Sequence, residues 1–128
     1  MDLISELLNI LKEVKGIKIE SDNSSIEVIP DSAEGFPVNI IVDGGYYTVG
    51  FSGYHDTLTD REEAKNLFLL GLSSNARLTV TSRGLVSYYW ILEKREGDSW
   101  VRIGHLRDLV FLPFWKQKKV AVYQNSLI

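Results

Sequence analysis

Cysteine is absent from all 128 residues, so no disulfide and no thiolate metal site can form. The absence fits a reducing compartment, and a cytoplasmic location is the expectation. Histidine occurs only twice, at His55 and His105, in separate stretches of chain. A zinc site takes three or four protein ligands, and the spacing supplies no such set, so no metal or other cofactor is expected. No apolar run approaches the roughly 20 residues that cross a membrane. The start, Met1-Asp2-Leu3, carries an acid where a signal peptide has its basic region, and no membrane partner is expected. Phosphate-binding glycine loops are missing too. Gly50-Phe51-Ser52-Gly53 is too short, and the helix expected after it opens on Asp60, Glu62 and Glu63, which repel an anion. The same stretch lacks the residue after the serine that a nucleophile elbow requires.

What is present is ordinary globular composition. Hydrophobic residues at 45% and aromatics at 11% exclude a disordered chain, and the length suits one domain spanning residues 1–128. Charge is unevenly spread. Residues 1–75 hold 5 Lys and Arg against 13 Asp and Glu, whereas residues 76–128 hold 9 against 4. Either the two halves neutralise each other on packing, or a basic face is offered to an acidic partner. Nucleic acid is not expected as that partner, because the chain as a whole is acidic, with pI ≈ 5.4.

Periodicity sets the elements. Leu3, Leu7, Ile10 and Val14 recur at helical spacing, with Asp2 placed to cap and Gly16 to terminate. Ile17–Glu20 and Ile26–Ile29 alternate like strands around a Ser-Asp-Asn-Ser turn. Gly44-Gly45 has the chemistry of a two-residue hairpin turn, pairing Val42 with Tyr47, Ile40 with Val49 and Val38 with Phe51. Thr59-Asp60-Arg61-Glu62 reads as a capping box that opens a helix through Ala64, Leu67, Phe68 and Gly71. Two more hairpins follow. Ser82-Arg83-Gly84 reads as a three-residue loop with Gly84 in the left-handed position of a bulge, and Gly97-Asp98 as a turn that sets Trp90 opposite His105, Leu92 opposite Ile103, Glu93 opposite Arg102 and Arg95 opposite Trp100. Val120–Tyr123 is the last strand. The expected fold is α+β, mostly antiparallel, in the order α-β-β-β-β-α-β-β-β-β, with both helices on one layer.

Two stretches bear on function. His55 and Asp56, beside Tyr54 in the loop expected before the second helix, are the candidate acid–base pair, with Arg83 as a further polar group. Against that role, neighbouring residues seldom aim at each other, and no nucleophile sits at a recognisable spacing. The other stretch runs from Phe111 to Lys119. Phe111, Phe114, Trp115, Lys116, Lys118 and Lys119 form either a sheet edge guarded by lysines or a partner surface with aromatic anchors and a basic rim.

Gly53-Tyr54-His55, Gly71-Leu72-Ser73, Tyr89-Trp90 before Leu92-Glu93, Gly97 before Trp100, Pro113-Phe114-Trp115 and Gln124-Asn125 together resemble small uncharacterised bacterial proteins. The resemblance covers most of residues 36–125 and implies no activity. The function expected is therefore non-catalytic: binding of a protein partner or self-association, as in an adaptor, a chaperone or a toxin-neutralising protein. The alternative is a small hydrolase or ligand-binding domain that uses the Tyr54-His55-Asp56 loop.

Overall fold

The computed structural model describes residues 2–108 and 112–128. They form two helices, α1 (Leu3–Leu11) and α2 (Arg61–Leu72), and two antiparallel sheets. The first sheet is a meander of β1 (Ile17–Ser21), β2 (Ser25–Pro30), β3 (Val38–Asp43), β4 (Tyr46–Phe51) and β5 (Tyr54–Leu58). The second comprises β6 (Ala76–Arg83), β7 (Val86–Glu96), β8 (Ser99–Arg107) and β9 (Lys118–Tyr123), in the order β8-β7-β6-β9. The fold is α+β, as the patterning predicts, with β5 as one strand more than expected. α1 packs on β2 and α2, while α2 lies against β3, β4 and β5 and touches β6 of the other sheet. Leu7, Leu11, Ile26, Val28, Val38, Ile40, Val49, Phe51, Phe68, Leu72, Leu78 and Leu92 are buried in a core that both sheets share.

The β3–β4 register is the one read from the sequence: Val38 faces Phe51, Ile40 faces Val49 and Val42 faces Tyr47. Gly44 and Gly45 both have positive φ, at 54° and 90°, which any Cβ would disfavour. Elsewhere local detail departs from expectation. α1 ends at Leu11 with Lys12 as its cap, so Gly16 starts the approach to β1 and does not terminate the helix. The Asp2 carboxylate does cap the start, accepting from the Ser5 N–H at 2.7 Å. For α2 the N-cap is Asp60, whose carboxylate accepts from the Glu62 N–H at 3.3 Å; the Thr59 hydroxyl has no such role.

Both later hairpins contain bulges that sequence spacing does not reveal. β6 and β7 join through a two-residue turn, Gly84-Leu85, and the extra residue sits at Tyr88 instead of in the loop. In β7–β8 the extra residue is Ile103, so Leu92 faces Gly104, Ile91 faces His105 and Trp90 faces Leu106. His105 is therefore exposed, not packed on Trp90. The physical reason lies at Gly104. A Cβ there would sit 2.0 Å from the Tyr54 hydroxyl, so the close approach of β5 to β8 admits only glycine opposite Leu92. Glu93 is in register with Arg102 as expected, but its ion pair is with Arg77, at 2.9 Å.

Two polar clusters hold the elements together. Glu6 on α1 receives the Lys65 ammonium at 2.6 Å and the Arg61 guanidinium, both from α2. Those donors, Lys65 before Arg61, hold its carboxyl down at about 2. At the other end of α2, the buried Asn125 accepts from the Phe36 N–H at 3.0 Å and donates to the carbonyls of Phe36 and Gly71 at 3.0 and 2.8 Å.

Two outcomes follow from these clusters. Asn125→Ala would strand a buried amide and two carbonyls, each costing about 1–3 kcal/mol if left unsatisfied. Its denaturant midpoint should fall by the equivalent of about 3 kcal/mol, and an unchanged midpoint would contradict the role. For Glu6, the folded pKa lies below the ordinary value of 4.5, so its contribution is complete above pH 4.5 and is lost as pH falls towards 2. Stability of Glu6→Gln should decline less steeply than wild type across that window. Parallel curves would exclude the cluster as a source of acid sensitivity.

Candidate functional site

The stretch holding His55 and Asp56 is strand β5 and not a loop, and this corrects the acid–base reading. Successive side chains on a strand point to opposite faces. His55 stands on the outer face of the first sheet, in a row with Gly50, Asn39, Glu27 and Glu20 of the other four strands. Asp56 lies on the opposite face, in register with Val49. Tyr54 is buried and stacked on Phe51 with ring centroids 6.0 Å apart, and burial raises its hydroxyl pKa, with the Asp56 charge adding to the effect. Arg83 belongs to the other sheet, where its guanidinium donates to the Lys116 carbonyl at 3.2 Å. The structure does not bring the four residues together.

Three of the exposed large apolar side chains lie on the β6–β7 turn and on the segment before β9. Leu85, at the tip of the β6–β7 turn, is fully exposed, and Phe114 and Trp115 are 71% and 67% exposed. The two rings stand edge to face, 6.0 Å apart at 88°. Backbone bonds shape the segment that carries them: the Phe114 N–H donates to the Leu112 carbonyl at 2.9 Å, and the Lys116 N–H to the Pro113 carbonyl at 2.8 Å. Gly84, with φ +59°, brings the hairpin against this segment, so that a Cβ on it would lie 3.2 Å from the Lys116 side chain. That contact and the Arg83 bond make two loops from distant parts of the sequence into one surface. Of the residues expected to bind, Phe114, Trp115, Lys116, Lys118 and Lys119 all belong to it, and Phe111 lies outside the described residues.

The charges around this surface are unusual. On the outer face of the same sheet, Arg77 pairs with Glu93 and stacks over Trp100 at 4.4 Å, with Arg95 over the same indole at 4.8 Å. Arg107 covers Tyr89 at 4.3 Å. Arg83, Lys116, Lys118 and Lys119, by contrast, make no ion pair among the described residues. Lys118 stands directly opposite Arg83 in the β6–β9 register, two like charges side by side.

Sequence reasoning missed three members of the surface. A three-residue loop of Ser82-Arg83-Gly84 leaves Leu85 outside the turn, although a large apolar residue beside a turn glycine is itself a signal. Val120 and Val122 were placed in the last strand without a face. Their register with Thr81 and Thr79 puts both on the outer side, 60% and 59% exposed.

A surface cavity of about 520 Å³ is lined by Glu34, Ser74, Val122, Gln124, Asn125 and Ser126 and brings together no acid–base pair. The described residues contain no group of three or more His, Asp and Glu side chains able to hold a metal ion. No helix among them is long and apolar enough to cross a membrane.

Gly84→Val tests how the surface is built. A β-branched side chain is strained at φ +59° and would also press on Lys116, so the variant should lose about 1–3 kcal/mol of stability. An unchanged denaturant midpoint would show that the hairpin tip needs no glycine.

Comparison with protein-family models, with curated proteins and with solved structures gave no match, so the function of this surface is argued from its own chemistry.

Proposed function

We propose that the chain is a non-catalytic protein-binding domain acting in the cytoplasm, and that it docks through Leu85, Phe114 and Trp115 with Arg83, Lys116, Lys118 and Lys119 as a basic rim. The observation that carries the reading is the exposure of three large apolar side chains on two segments joined by the Arg83 bond to the Lys116 carbonyl. Soluble proteins seldom leave such a cluster in water, and a rimmed apolar cluster marks an interaction site. Its composition suits the task. Tryptophan and phenylalanine bury large areas with few rotatable bonds, and the surrounding cations select an acidic counterpart and speed the encounter. The separation of charge along the chain supports an acidic partner, since the basic half carries this end. The overall acidity at pI ≈ 5.4 favours a protein over nucleic acid.

The hydrolase reading finds no comparable support, because His55 and Asp56 lie on opposite faces of β5.

The test separates binding from folding. Leu85→Ser and Trp115→Ala alter exposed groups, so each should keep its denaturant midpoint within about 0.5 kcal/mol of wild type. Loss of an interface anchor typically costs about 2 kcal/mol, or roughly 30-fold in Kd. Partners captured by the wild-type chain from its native host should accordingly be lost with both variants. A partner retained in full by the double variant would place the binding surface elsewhere, and a collapse in stability would assign Trp115 to the core.

A further inference from the structure

Exposed apolar groups are not confined to the tip. Val120 and Val122 stand on the outer face of β9, a six-residue strand about 20 Å long, with Lys118 on the same face. β9 is also a sheet edge: it pairs with β6 on one side, and no described strand lies on the other. Its pairing with β6 runs without a register shift from Lys118 to Tyr123, so the edge is regular and its backbone is presented evenly.

The other edges are less open. β8 carries the bulge at Ile103, and β5 is short and packed against β7 and β8. β1 sets Lys18 against its own Glu20 at 3.3 Å, so its charges are already matched.

From these observations, and resting on the docking surface proposed above, we propose that the partner binds by strand addition. An extended acidic segment of the partner pairs with the free edge of β9. Its carboxylates lie beside Lys118, Arg83 and Lys119, and a β-branched or aromatic side chain covers Val120 and Val122. Main-chain bonds supply affinity without regard to sequence, while alternate side chains supply the selection. Charge decides the chemistry of the occupant. Four cations without acidic partners, two of them directly opposite each other, are relieved by carboxylates and by nothing on this chain among the described residues. A second copy joined edge to edge would bring no carboxylate to these cations, because β9 itself holds none. An anionic bilayer would meet the protruding tip and leave the length of β9 uncovered.

The experiment selects 12-residue peptides from a random displayed library on the wild-type protein, then measures the synthesised winners by fluorescence anisotropy. Enriched peptides should combine acidic residues with Val, Ile, Thr or aromatics. The Lys118→Glu/Lys119→Glu variant should bind at least 10-fold more weakly with its melting temperature not lowered, since the new carboxylate at position 118 would stand opposite Arg83. N-methylation at alternate peptide positions should weaken binding by a similar factor in one phase and not in the other. Amide exchange should slow at alternate residues of 118–123 in the complex.

Failure to enrich any peptide, winners without acidic residues, or β9 amides that exchange unchanged would each overturn strand addition. So would binding to phosphatidylserine-containing vesicles in place of peptide, or a dimer by light scattering in which the β9 amides are protected. The two proposals fail separately. A host partner lost with Leu85→Ser and Trp115→Ala but held by Lys118→Glu/Lys119→Glu would leave the apolar anchors of the docking surface standing and remove both the strand and the part of Lys118 and Lys119 in the rim.

Discussion

Three segments far apart in the sequence meet on one carboxamide. Asn125 bonds the main chain of Phe36, ahead of β3, and the carbonyl of Gly71, near the end of α2. The residues on either side extend the seam. Gln124 bonds the carbonyls of Glu34 and Ser74, and the Leu127 N–H bonds the carbonyl of Leu72. A buried polar group that is fully satisfied fixes one arrangement, because every alternative leaves donors and acceptors without partners in a medium that penalises them. The apolar core specifies that the two sheets cover α2. This seam specifies how the chain following β9 is anchored, and so where the edge formed by β9 begins and ends.

The second constraint is the fit between the sheets. β5 approaches β8 so closely that the Tyr54 hydroxyl occupies the space of a side chain at Gly104. The bulge at Ile103 brings that glycine into line with Leu92, and the same bulge turns His105 outward. One close approach therefore decides the exposure of a histidine that simple alternation would bury. Bulges commonly re-aim side chains in this way, and they interrupt edges that would otherwise recruit further strands. Here the interruption falls on β8 and not on β9.

How far the sequence could be read depended on whether a constraint was local. Gly44-Gly45 and the matched apolar pairs beside it determine the β3–β4 register within 14 residues, and the structure agrees at each pair. The helices were legible from apolar spacing, although the caps slipped by one residue at α2 and by several at the end of α1. The bulge at Ile103 was not legible, since the Tyr54 hydroxyl that crowds Gly104 belongs to another strand, and nothing in the local pattern marks the one at Tyr88. β5 was hidden for a related reason. Tyr54-His55-Asp56-Thr57 carries a single apolar residue, and its strand character comes from pairing with β4 and from Thr57 bonding Thr48 at 3.2 Å. The docking surface was half legible. Aromatics and lysines crowded between Phe111 and Lys119 marked the segment, but its union with Leu85 depends on the Arg83 bond to Lys116, a contact 33 residues apart. Several residues behind the family resemblance prove to be packing positions. A Cβ on Gly53 would strike Trp90, one on Gly71 would strike Phe51, and Asn125 closes the seam.

Lysines along a sheet edge are usually understood as protection against unwanted pairing, and that account and the binding proposal are compatible. An edge can be closed by a bulge, by a covering helix or by charge. The first two are structural and exclude every incoming strand. Charge is conditional: Lys118 and Lys119 repel a basic strand, gain no neutralising group from a second β9, which holds no carboxylate, and attract a strand that brings carboxylates. The cost of holding Lys118 beside Arg83 is borne while the edge is empty and is relieved when an acidic strand arrives. Part of the selectivity of the proposed site then comes from the same repulsion that turns basic strands away. A protein whose edge needed only protection would gain nothing from Phe114, Trp115 and Leu85 standing exposed beside it. The aromatic tip gives the edge an anchor, and the lysines set the condition for using it.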